Sequence, residues 1–205
     1  MKRLIILSIL SFFFIVGCSS NEPVAEKPVI YLYPETEQEI EVELHYAGEL
    51  TCTYPEHQDG WHVVAQPDGI LVDNVTGKEY SYLFWEGKSD VEYDLSKGYV
   101  IPGEDTAEFL EMKLNELGLN RKEANEFIVY WLPRMQENIY NLITFQDEVY
   151  KNVAKLEIIP KPDSVLRVFM VYKALDEKIE IEEPVLESFE RNGFTVVEWG
   201  GTEIK

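Results

Sequence analysis

From Val29 onward the pattern of apolar and polar positions turns to that of strands. Ile40, Val42, Leu44 and Tyr46 alternate with Glu39, Glu41, Glu43 and His45, which predicts a strand with one core face and one solvent face. Residues 29–33 form an apolar run that ends at Pro34, and residues 50–54, 61–66 and 70–72 read as further strands separated by Gly48 and by the turn Pro67-Asp68-Gly69. Residues 80–85 are apolar on both faces, the mark of a covered central strand. This stretch predicts an antiparallel meander.

Past Pro102-Gly103 the period lengthens to that of a helix. Ala107, Leu110, Leu114 and Leu117 share one stripe, Asp105 and Glu108 are spaced as a capping pair, and Gly118 suits the left-handed position beyond the end. Asn120 with Glu123 repeats the start signal, Ala124, Phe127, Ile128 and Trp131 form the next stripe, and Pro133 predicts its stop. Strands follow at 139–145, 156–159, 165–174 and 194–199, with a third helix expected between Pro184 and Gly193. The fold class is therefore α+β: an antiparallel β-rich part over 28–102 and an α+β part over 103–205, integrated with the first.

The N-terminus follows a different rule. Lys2 and Arg3 precede an apolar run from Leu4 to Val16, shorter than the ~20 residues a membrane-spanning helix needs. Ile15-Val16-Gly17-Cys18 closes the run and resembles the lipobox of bacterial lipoproteins. That resemblance implies cleavage after residue 17, a diacylglyceryl group on the Cys18 sulfur and usually a further acyl chain, such as palmitate, on its freed amine. Residues 18–27 then form a polar tether, and the expected location is the extracytoplasmic side of a membrane, on a lipid anchor.

Charge narrows the partners. The formal net charge is −20, and losing Lys2 and Arg3 with the signal takes it to −22. Such a field repels phosphate backbones, so nucleic acid is excluded as a partner, while cations, basic peptides and neutral glycans fit. Apart from Cys18 the only thiol is Cys52, so no disulfide forms within the mature body, and strand alternation predicts that Cys52 is buried beside Leu50 and Tyr54.

Several motifs carry a further resemblance: Lys27-Pro28-Val29-Ile30-Tyr31-Leu32-Tyr33-Pro34, Asp59-Gly60-Trp61, Pro67-Asp68-Gly69 and Tyr82-Leu83-Phe84-Trp85-Glu86-Gly87. With Phe127-Ile128-Val129-Tyr130-Trp131-Leu132-Pro133 and residues 162–168, the mature chain resembles a family of bacterial extracytoplasmic proteins that has no assigned activity. The resemblance implies one integrated unit and brings no catalytic residue with it.

Candidate chemistry is sparse. His57, Asp59 and His62 cluster within six residues and offer imidazole and carboxylate donors for a borderline metal, although no helical zinc motif occurs. Glu86 and Glu198 each adjoin a tryptophan at a predicted strand end, where an acid–base pair for glycoside hydrolysis is conceivable. Trp61 and Trp199, near strand ends, are the candidates for an exposed binding platform. No nucleotide loop or serine elbow is present, and no cofactor is expected. The leading expectation is a non-enzymatic module that binds an envelope glycan, peptide or protein. The alternative is an extracytoplasmic hydrolase, either metal-assisted or carboxylate acid–base.

Overall fold

The computed structural model describes residues 23–205; the signal expected over 1–17 and the lipidation site Cys18 lie outside the described residues. The described chain is α+β, with strands in two sheets. The larger sheet takes β1 (Val24–Tyr33), β3 (Glu49–Tyr54), β7 (Leu83–Lys88), β8 (Tyr99–Pro102), β9 (Tyr140–Phe145), β11 (Ser164–Leu175) and β12 (Thr195–Glu203). Its order is β3-β7-β1-β12-β11-β9-β8, antiparallel except for the β11–β12 pair. The smaller sheet takes β2 (Gln38–Tyr46), β4 (Trp61–Ala65), β5 (Leu71–Asp73), β6 (Glu79–Tyr80) and β10 (Ala154–Ile159), in the order β10-β2-β4-β5-β6. Strands from both sides of residue 102 are therefore interleaved in each sheet.

The order of layers follows from side-chain alternation. Ile30 and Leu32 of β1 join Val42, Trp61, Val63, Leu83 and Trp85 in a core between the two sheets. Val29 and Tyr31, one residue out of phase, join Leu110, Leu114, Phe127, Trp131 and Trp199 in a second core. That second core is closed by α1 (Thr106–Leu117) and α2 (Arg121–Met135). The molecule is thus three layers deep, with the larger sheet in the middle.

Local rules account for the helices. Gly118 caps α1 in the left-handed region at φ 99°, and Asn120 caps α2 with a full capping box to Glu123. Asp105 makes no side-chain cap. Pro133 does not end α2, which runs to Met135: proline removes one amide donor, while Gln136 N–H still reaches Leu132 O at 3.0 Å.

Four further expectations are corrected. The helix predicted between Pro184 and Gly193 is absent, and that segment crosses from β11 to β12 in extended form. Glu183, Glu187 and Glu190 would stand three and four residues apart on a helix and repel one another. Leu186 and Phe189 instead pack on the helix-side core, and Arg191 binds Gly118 O and the Glu123 carboxylate. Residues 80–85 are two strands, since the chain leaves the smaller sheet at Tyr80 and enters the larger at Leu83. The tether expected over 18–27 gives way to β1 at Val24. Cys52 is exposed, because Leu50 pairs with Gly87 and Cys52 with Glu86, so Thr51 is a bulge residue that breaks the alternation on an edge strand.

The central strands tolerate no added volume on the helix side. A Cβ at Gly201 would lie 2.6 Å from Met170 O and 2.7 Å from Trp131 Cζ2. Gly201→Ala is expected to lower stability by about 1–3 kcal/mol in urea unfolding. An unchanged midpoint would show that Trp131 is free to move and that the helix layer is loosely seated.

Candidate functional site

The tryptophans fill the cores. Trp61 is 1 % exposed, and Trp85, Trp131 and Trp199 are each 0 % exposed. Trp61 donates its indole N–H to Pro55 O at 2.8 Å, which ties the loop before β4 to the core. Trp199 stands edge-on to Phe127 under α2. Neither Trp61 nor Trp199 is available as a surface platform, because each lies at an inward position of a strand covered by another layer.

Glu86 and Glu198 are not brought together. Trp85 donates its indole N–H to Glu198 Oε1 at 3.0 Å, which fixes Glu198 on the face toward the smaller sheet. Glu86 follows Trp85 in β7 and points to the opposite face, where it accepts the Lys27 backbone N–H at 3.2 Å. On that side lies Glu26, whose carboxyl is raised above its ordinary value by burial and further by the Glu86 charge, against the Tyr130 hydroxyl and Arg134. A sheet separates the two carboxylates, so they cannot flank one glycosidic bond.

Glu198 has a structural partner instead. It is fully buried against the Arg167 guanidinium, which also donates to Ala154 O and lies 4.6 Å from the centre of the Tyr150 ring. Burial, and secondarily the Glu198 charge, push the Tyr150 phenol well above its ordinary value, so it stays protonated. The pair joins β12, β11 and the start of β10, and so pins the two sheets together.

His57 and Asp59 lie in the loop before β4 and His62 in β4 itself, and the three share no donor centre. Among the described residues, the only three His, Cys, Asp or Glu side chains whose donor atoms converge are Glu43, His45 and Glu157. His57 stacks edge-on against Trp61 at 4.5 Å, and burial holds its imidazole below the usual value. His62 is on the outer face of β4, 4.0 Å from Glu41.

What the loop does build is a cleft of about 400 Å³ at the end of the smaller sheet, between residues 53–62 and the β5–β6 turn. Tyr54, 60 % exposed, meets Tyr80 edge-on with ring centres 5.3 Å apart. Its lining also includes Glu56, Asp59, Asp73 and His62, and no lysine or arginine. Hydrogen bonds from the Thr76 hydroxyl and amide hold the Asp73 carboxyl low, and so ionised. Tyr54, Tyr80 and Asp73 were not apparent as site residues in the sequence. The usable signal was Asp73-x-x-Thr76, an Asx-turn pattern that aims a carboxylate across a short loop.

The chain matches no family model, no curated protein and no solved structure.

Removing Glu198 tests the structural role of the pair. Glu198→Ala leaves Arg167 buried without its counter-charge and is expected to cost about 3–5 kcal/mol, whereas the double change with Arg167→Met recovers most of that loss. Equal destabilisation by the single and double variants in urea melts would deny that the two charges act as a pair.

Proposed function

We propose that the protein is a lipoprotein held on the extracytoplasmic side of a membrane through lipid on Cys18, and that its body is a non-enzymatic binding module. The anchoring rests on the charged, apolar and small-residue succession from Lys2 to Cys18. No helix of the described residues is long and apolar enough to cross a membrane. Only five residues separate Cys18 from the start of β1 at Val24, so extended chain keeps the body within about 20 Å of the lipid.

The binding reading rests on one observation: a concave site whose aromatic wall, exposed Tyr54 against half-buried Tyr80, stands among Glu56, Asp59 and Asp73 with no lysine or arginine. Within a chain of net charge −20, that lining favours a cationic segment, and among glycans, peptides and proteins it points to a basic stretch of an envelope peptide or protein. The aromatic rings supply apolar contact and cation–π attraction, and the carboxylates supply charge.

Two outcomes are expected. In the producing cell, Cys18→Ala abolishes incorporation of labelled palmitate; persistent labelling would refute anchoring at this residue. In fluorescence anisotropy, the protein binds a lysine-rich peptide in a salt-sensitive manner, and Tyr54→Ala weakens that binding at least tenfold. Binding that Tyr54→Ala leaves unchanged, or no binding by the unaltered protein, would remove the cleft as the site.

A further inference from the structure

We propose a first-row divalent metal site, of the Zn²⁺ class, on the outer face of the smaller sheet, with Glu43, His45 and Glu157 as protein ligands. It is separate from the cleft and does not depend on the binding reading above. Strand alternation puts Glu41, Glu43 and His45 on the solvent side of β2, while β10 runs antiparallel with Glu157 opposite Glu43 and Lys155 opposite His45. The imidazole of His45 thereby falls between two carboxylates that belong to different strands.

The donor atoms stand close to coordination spacing. His45 Nε2 is 3.6 Å from Glu43 Oε1 and 3.6 Å from Glu157 Oε1. Both separations exceed the ~3.2 Å limit of an N–H···O bond. They lie within tenths of an ångström of the ~3.3 Å between neighbouring donors around a tetrahedral ion with bonds of about 2.0–2.1 Å. All three donor atoms lie within 4.8 Å of one another, so small rotamer changes close the set.

Histidine placement is a separate observation. The chain has three histidines: His45 at the centre of this face, His62 on the neighbouring strand and His57 in the loop before it. His62 stands across from Glu41 on β4, and the charges of Glu43 and His45 both reach the ring of His57. Its Nε2 is sealed from solvent and has no hydrogen-bond partner among the described residues. The donor set of one imidazole and two carboxylates selects Zn²⁺ and its first-row neighbours over Ca²⁺, which takes oxygen ligands. With three protein ligands on an exposed face, at least one coordination position faces solvent. A metal held there would clamp β10, an edge strand, to β2.

The test is equilibrium dialysis of the full-length chain in detergent micelles against ⁶⁵Zn²⁺, with a tenfold excess of Ca²⁺ as competitor. One Zn²⁺ per chain is expected, undisturbed by Ca²⁺, with affinity falling at least tenfold in His45→Ala and in Glu157→Gln and less than threefold in His62→Ala. His45, His62 and Glu157 are exposed, and circular dichroism confirms that each variant keeps the fold. Wild-type affinity in both His45→Ala and Glu157→Gln would overturn the proposal. So would displacement by Ca²⁺, or loss of binding only in His62→Ala or His57→Ala.

Discussion

Ile30 and Leu32 point from β1 toward the smaller sheet, Val29 and Tyr31 point toward the helices, and all four are fully buried. β12 is built alike, with Val196 on one side and Val197 and Trp199 on the other. Strands of this kind have no solvent face, so the larger sheet exists only if both of its sides are covered. Each such side chain contributes about 1.5–3 kcal/mol when buried, and losing either outer layer would forfeit many of these terms at once. The smaller sheet and the α1–α2 pair are thus conditions for the central sheet and cannot be treated as additions to it.

Burial on both sides also constrains charge. Two carboxylates, Glu198 and Glu123, are fully buried, and each is met by an arginine, Arg167 and Arg191. Arginine suits such positions because its planar fork satisfies two acceptors and it stays charged. One pair fixes the smaller sheet to the larger, and the other fixes the β11–β12 crossover to the helix corner. Each pair is internally neutral, so the excess of 38 acidic over 18 basic residues falls on the rest of the chain. The cleft and the outer face of β2 inherit that imbalance, which is why their readings converge on cationic ligands.

Periodicity made much of this fold legible. The alternation in β2, the stripes of α1 and α2, the Gly118 cap and the Asn120–Glu123 capping box stand in the sequence as they stand in the structure, whereas the Asp105 cap and the stop at Pro133 do not. What periodicity does not carry is which sheet a strand joins. Residues 80–85 look like one strand because nothing local marks the passage between layers at Ser81-Tyr82. The segment from Pro184 to Gly193 reads as helix from its opening proline and closing glycine, because the anchoring of Leu186 and Phe189 is a contact with a distant corner, not a local preference. Candidate sites were less legible for the same reason. Tryptophans near strand ends look exposed until a second layer covers them, and Glu157 enters the story only through its register with Glu43. The polar loop at 54–62 was visible as a cluster, but its aromatic wall needed Tyr80 from another hairpin.

The measurement that bears most directly on this account is native-state amide hydrogen exchange resolved by strand. If a doubly covered sheet organises the molecule, the amides of β1, β11 and β12 exchange only through global unfolding, while β5, β6 and the outer edge of β10 open at lower free energy. Protection in the smaller sheet equal to or above that of β12, or a central sheet that opens while the smaller sheet stays closed, would contradict it.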